Sequence, residues 1–241
     1  MNLDEQLLQS VFDPALLEAC PDEWGLVIHS TDPHSIGFAT TLTPDVIHQA
    51  VAKEIDLLVT HHDAWEFMRE ERDICLQLLA QRRISHVWCH APLDAADFGT
   101  AASLLAVAGC KVIGSIAEGD GRIGELPAPL SLTELVKLLD GQLSESPCRR
   151  IDANRMVARI ACVPGAGMNI GYLVEALNRD ADLYITGETG LYLLEYASFR
   201  KVNVLVYSHN YTEIFGTQNL AHKIAVQLGI KEIVRLDEPH Y

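Results

Sequence analysis

The sequence predicts an α/β fold made of two similar domains, and three observations carry that prediction. Short apolar runs of strand length alternate with helix-spaced segments along most of the chain. One such block of sequence recurs about 126 residues later. With 241 residues, 49% of them hydrophobic, the chain is long enough for two modest domains or one large one and can bury a real core.

Residues 44–60, PDVIHQAVAKEIDLLVT, begin with apolar positions at helical spacing and end in the dense run IDLLVT, which predicts a helix leading into a buried strand. ISHVWC at 84–89 reads as the next strand. A further unit starts at 156 with MVARIACV, passes through the glycine-rich PGAG and the helical NIGYLVEALNRD, and reaches the strand ADLYIT at 181–186. VNVLVYS at 202–208 follows as a fourth strand. Strands alternating with helices of this length predict largely parallel, buried sheets.

AVAKEIDLLVTHH at 50–62 aligns without a gap on ALNRDADLYITGE at 176–188. After the next strand, one copy delivers His90 and Asp94 and then Phe98-Gly99-Thr100, and the other delivers His209 and Glu213 and then Phe215-Gly216-Thr217. A shared hydrophobic pattern alone would not reproduce His-x-x-x-acid and then FGT in the same order. Between the copies, GDGRIGELPAP reads as a turn-rich linker, and SLTELVKLLD as a helix with Ser131 or Thr133 near its N-cap and Gly141 past its end. The expected first domain is therefore 1–112 plus 203–241, and the second is 113–202.

Composition bounds the function. No run approaches the roughly 18 uninterrupted apolar residues of a membrane helix, and the first twenty residues carry acids where a signal peptide would be basic, so a cytoplasmic protein is expected. Six cysteines without a C-x-x-C pair read as reduced, buried thiols. A net charge of −15 disfavours extended nucleic-acid binding, while an anionic small molecule can still enter a metal-neutralised pocket.

The residues with chemistry are histidines and acids. His61 and His62 follow the strand IDLLVT, where parallel α/β sheets place their sites. Successive strand side chains point to opposite faces, so the pair suits two neighbouring ions better than one. An isolated HH would read as two solvated histidines. His90 with Asp94, and His209 with Glu213, are four apart, which on a helix brings imidazole and carboxylate to one face. That donor set suits zinc, iron, manganese, nickel or cobalt, and the longer Glu213 is the natural bridge between two ions. PGAG at 164–167 offers either a phosphate cradle or a tight turn, Arg149, Arg150, Arg155 and Arg159 read as a solvated face, and Cys89 reads as a core residue.

Taken in order, LLVTHHDAWEF, WCHAPLDAADFG, DGRIGELP, ARIACVPGAGM, ADLYITGE and YSHNYTEIFG resemble the motif series of the dinuclear-metal-centre proteins known as the NGG-interacting-factor-like family, also labelled GTP cyclohydrolase I type 2. The resemblance runs from about residue 24 to 229. It implies two similar α/β domains, two divalent ions per chain in the cleft between them, and a toroidal homohexamer. Carried over residue by residue, it makes His61, His62, Asp94, His209 and Glu213 the metal ligands. His90 matches a family histidine that is a ligand, an orienting group or a catalytic proton carrier. Asp63-Ala64-Trp65 after the HH pair, and Asn210-Tyr211 after His209, depart from the family pattern around the pocket.

Two functions from different classes follow. One is a metal-dependent hydrolase, cyclohydrolase-like, acting on a nucleotide or related small molecule, with His90 as its acid or base. The other is a non-catalytic metal-binding, metal-delivery or interaction protein.

Overall fold

The computed structural model describes residues 5–30 and 32–240, so the first four residues of the acid-bearing start, with Thr31 and Tyr241, lie outside it. Two compact units are present. One takes the chain up to Gly99 together with Gly216–Pro239, and the other takes Thr100–Phe215 with His240.

The first unit opens with helices α1 (Glu5–Val11) and α2 (Pro14–Ala19) and continues through β1 (Trp24–Val27), β2 (Ser35–Thr41), α3 (Pro44–Ala52), β3 (Leu57–His62), α4 (Glu70–Arg82), β4 (Ser85–Cys89) and α5 (Ala91–Ala95). Thr43 sets the start of α3: its side chain accepts from Val46 N–H, and Pro44 occupies the first turn, where a missing N–H costs nothing. α4 buries Cys75 and Leu79, four apart on one face. These pack with Val46, Ile47, Ala50, Leu58 and Leu236 into one core.

The second unit holds α6 (Thr100–Val107), β5 (Lys111–Ile116), β6 (Gly121–Leu130), α7 (Leu132–Leu143), β7 (Arg149–Ile151), β8 (Val157–Val163), α8 (Ile170–Asn178), β9 (Leu183–Thr186), α9 (Leu191–Arg200) and β10 (Asn203–Val206). Its sheet is buried on both faces, as alternation along β9 shows: Leu183 and Ile185 join one core cluster with α6 and α7, and Tyr184 joins the other with Leu173 and Leu193. The chain then enters α10 (His209–Leu228) and ends on β11 (Glu232–Arg235), which pairs in parallel with β2 in the first sheet.

The expected repeat is visible in the topology. The first sheet has the order β1-β4-β3-β2-β11 and the second β5-β6-β8-β9-β10-β7. Both contain three consecutive parallel strands, β2-β3-β4 and β8-β9-β10, joined through helices, and both add one antiparallel strand, β1 or β7, beside the third. His90 and His209 follow the equivalent strands β4 and β10.

The stretch between the copies departs from expectation. GDGRIGELPAP is not a linker: most of it forms β6, antiparallel to both β5 and β8. The proline-rich part hid the strand, because Pro127 and Pro129 cannot donate to a ladder and fall where the β6–β8 register shifts between Glu125 and Leu130. The second sheet is accordingly parallel only at its centre. α7 has Ser131 as N-cap in a capping box with Glu134, but runs past Gly141 to Leu143. β10, placed by the sequence reading in the first domain, is hydrogen-bonded between β9 and β7 in the second sheet. Among the described residues, no helix is long and apolar enough to cross a membrane.

Candidate metal centre

In the first unit, His61 and His62 close β3, the central strand of the parallel trio, and each ring is held by a different neighbour. His61 Nδ1 lies 2.9 Å from the carbonyl of Cys89 at the end of β4, and His62 Nδ1 lies 3.0 Å from Thr41 Oγ1 at the end of β2. The rings converge, with centroids 4.6 Å apart, and His90, which precedes α5, brings a third ring to 4.8 Å from His61 and 5.3 Å from His62. One ring nitrogen from each of the three lies within 4.8 Å of the others. Asp94 in α5 turns its carboxylate to His61 Nε2 at 3.4 Å.

Hydrogen-bond chemistry assigns the protons. A carbonyl oxygen only accepts, so His61 carries a hydrogen on Nδ1 and turns its Nε2 to the Asp94 carboxylate. Two acceptors at 3.4 Å repel unless a proton or cation lies between them. His90 Nδ1 lies 2.5 Å from Glu23 Oε2, which fixes that ring in the same sense.

Beneath this cluster, Thr60 Oγ1 donates to the His62 carbonyl at 2.8 Å and therefore accepts from His86 Nε2, also at 2.8 Å. His86 is fully buried, and burial pushes its pKa down to about 3, so it stays neutral. Burial raises the Cys89 thiol well above its usual range, with the nearby Asp94 charge adding to the effect, and Cys89 remains a protonated core residue.

In the second unit the equivalent position is built with acids. His209 opens α10 after β10; its Nδ1 lies 2.6 Å from Glu188 Oε1, and its Nε2 lies 3.3 Å from Glu213 Oε2 one turn along the helix. Burial by itself would depress this imidazole. The hydrogen bonds and charges of Glu213 and Glu188 outweigh burial and raise its pKa to about 9. Again an Nδ1 pinned by an acceptor directs Nε2 at a carboxylate.

The PGAG loop contributes packing rather than a phosphate cradle. Gly165 adopts φ +57°, and a Cβ there would come within 2.0 Å of Glu213 Oε1 and 2.8 Å of His209 Nε2. Its amide donates to Thr212 Oγ1 at 2.9 Å, and the Gly167 amide donates to the Gly165 carbonyl, so these N–H groups are already used.

The first unit thus gathers His61, His62, His90 and Asp94, and the second gathers His209 and Glu213. Sequence reasoning missed Glu23, Thr41 and Glu188, while Gly165 fell in the loop read as a phosphate cradle or a tight turn and takes the turn's positive φ. Glu188 had a signal, since the ungapped repeat sets it opposite His62. Glu23 had none.

Comparisons with known proteins follow the same lines. The family described as Duf34/NIF3 (NGG1p interacting factor 3) matches residues 4–238. A protein of Yersinia pestis named GTP cyclohydrolase 1 type 2 homolog is 30% identical over 207 residues, covering 83% of this chain and 82% of its own. A Pyrococcus horikoshii protein of the same name is 27% identical, covering 98% and 99%. The crystal structure of TTHA1606 from Thermus thermophilus has a likeness in fold, with a TM-score of 0.82 at 24% identity, over 99% of each chain.

Proposed function

This chain belongs to the Duf34/NIF3 family, and from that premise we propose that it is a metal-dependent protein holding two divalent ions through His61, His62, Asp94, His209 and Glu213. The observation that carries the reading is the pairing of an oriented imidazole with a carboxylate in each unit. In each unit a ring whose Nδ1 is held by an acceptor turns its Nε2 to a carboxylate oxygen, at 3.4 Å for His61 with Asp94 and 3.3 Å for His209 with Glu213. A divalent cation can be held between nitrogen and oxygen in each pair, and imidazole with carboxylate suits zinc, iron, manganese, nickel or cobalt.

We infer that the activity is hydrolytic, on a nucleotide or related small molecule, in a cytoplasmic homohexamer. The name shared by the Yersinia and Pyrococcus relatives supports the nucleotide class. When bound, such ions supply Lewis acidity and bring a coordinated water's pKa toward neutrality. The chain's own contribution is placement. His61 and Asp94 are fixed by secondary structure, and His90, the most exposed of the three rings, has Nε2 available for a proton at the rim. Trp65 stands edge-on to His90 at 5.4 Å and to Trp88 at 5.2 Å, limiting the ring's movement.

The test is elemental analysis of the purified protein beside Glu213→Ala, with a screen for nucleotide hydrolysis after metal is restored. About two ions per parent chain, their loss in the variant and turnover by the parent support the hydrolase. Bound metal without turnover favours storage or delivery of the ion, and a parent that takes up no transition metal rejects the reading.

A further inference from the structure

The two units supply the same contact to equivalent histidines from non-equivalent places. His209 and His90 correspond in the repeat, each following the third parallel strand. Glu188, just after β9, meets His209 Nδ1 at 2.6 Å. In the first unit the position matching Glu188 is His62, itself directed into the imidazole cluster, so the repeat cannot provide a carboxylate for His90 by inheritance. Glu23, before β1 and 67 residues away in sequence, provides it at 2.5 Å. A contact rebuilt from a different element is not a relic of duplication.

We propose that Glu188 and Glu23 are positioning residues that accept from Nδ1–H of His209 and His90 and so direct each ring's Nε2 into the ligand cluster of its own unit. A carboxylate accepts only, so Nδ1 of each ring carries a hydrogen, and when the His209 imidazolium gives up a proton to a bound ion it is Nε2 that is freed. Outer carboxylates of this kind fix ring orientation and raise ligand basicity. The metal part of the proposal rests on the function proposed above, whereas the tautomers are properties of the chain itself. Both acids are part-exposed, at 41% for Glu188 and 40% for Glu23, which suits groups kept for a contact rather than for packing.

The experiment combines Zn²⁺ affinity, by competition with a chromophoric chelator, with long-range ¹H–¹⁵N correlation of the histidine rings in parent, Glu188→Ala, Glu188→Gln and Glu23→Ala. Ring signals are assigned by their loss in His209→Gln and His90→Gln. Glu188→Ala is expected to weaken zinc binding about 10- to 100-fold, with partial recovery in Glu188→Gln, whose amide oxygen still accepts from Nδ1–H. Glu23→Ala is expected to convert the His90 ring from one tautomer to a mixture. If Glu188→Ala does not fold, Glu188→Gln and Glu23→Ala carry the test. Variants with parental thermal stability, unchanged tautomers and unchanged zinc affinity overturn the inference. If the parent binds no zinc, the proposed function fails, and the tautomers of the metal-free protein at alkaline pH still decide the positioning role.

Discussion

The two units run the same β-α-β-α-β-α path and place a histidine after the same strand, yet surround it with opposite electrostatics. In the first unit His90 sits among imidazoles, with His61 and His62 at 4.8 and 5.3 Å, Asp94 turned to His61 and Glu23 held against His90 Nδ1. In the second, His209 lies between Glu188 and Glu213 and is driven toward the imidazolium form. The strands and helices set where these side chains emerge, and a few residues at and just after the strand ends decide the charge around them. At the strand ends, His61-His62 in one copy becomes Gly187-Glu188 in the other.

The comparison can be broken from either side, and the largest effect is expected from removing a ligand. Glu213→Ala strips the second unit of its most buried acid and leaves His209 with Glu188 alone. Zn²⁺ affinity measured by chelator competition should fall by more than about 100-fold, a larger loss than that of an outer partner. An affinity within a few-fold of the parent would show that Glu213 is no ligand.

Next comes Gly165→Ala, which acts on the second unit only. The added Cβ meets Glu213 Oε1 at 2.0 Å and sits on a residue at φ +57°. Chemical denaturation should show a destabilisation of roughly 1–3 kcal/mol from the strained backbone, together with weakened metal binding as Glu213 is displaced. Parental stability and affinity in this variant would mean that the loop relaxes away from the acid.

A pH experiment sharpens the first unit. His86 lies beneath the cluster on Thr60, with the Asp63 carboxylate 3.8 Å from its Nδ1. Its folded pKa of about 3 lies below the usual histidine value near 6.5. The unfolded chain therefore binds the proton more readily. This residue's contribution is intact above pH 6.5 and is lost as pH falls toward 3, at up to about 1.4 kcal/mol per pH unit. Urea unfolding of the parent and His86→Gln from about pH 7.5 to about pH 5 should show their stability difference narrowing with acid. Parallel curves would place the acid sensitivity elsewhere.

The smallest effect lies far from both clusters. Ser131→Ala removes one side of the capping box on α7 and should cost about 1 kcal/mol without changing metal affinity. It serves as a control for variants that act only through stability.

How much of this was legible in the sequence depends on range. His61 and His62 stood out because they end a dense apolar run, and His209 with Glu213 because helical spacing joins them locally. The repeat predicted matching strands, and the sheets contain them. Glu23 was not legible, since its contact with His90 spans 67 residues and follows no period. β6 was hidden because Pro127 and Pro129 imitate a linker and the ladder steps around them with a shift in register. Gly141 seemed to end a helix that continues, because nothing lies within 4 Å of that position and an exposed helical glycine costs only about 1 kcal/mol relative to alanine. The opposite polarity of the two clusters was legible in part, since Glu188 aligned with His62 in plain view, but its partner His209 was fixed only by the fold.

The most direct measurement is a cobalt(II) titration followed by visible absorption, on the parent, His61→Gln and Glu213→Gln. The parent is expected to take up about two equivalents with spectra of mixed nitrogen and oxygen ligation, and each variant to lose uptake. A parent that shows no bound-cobalt spectrum, or variants that fill as the parent does, would contradict the assignment of these residues as metal ligands.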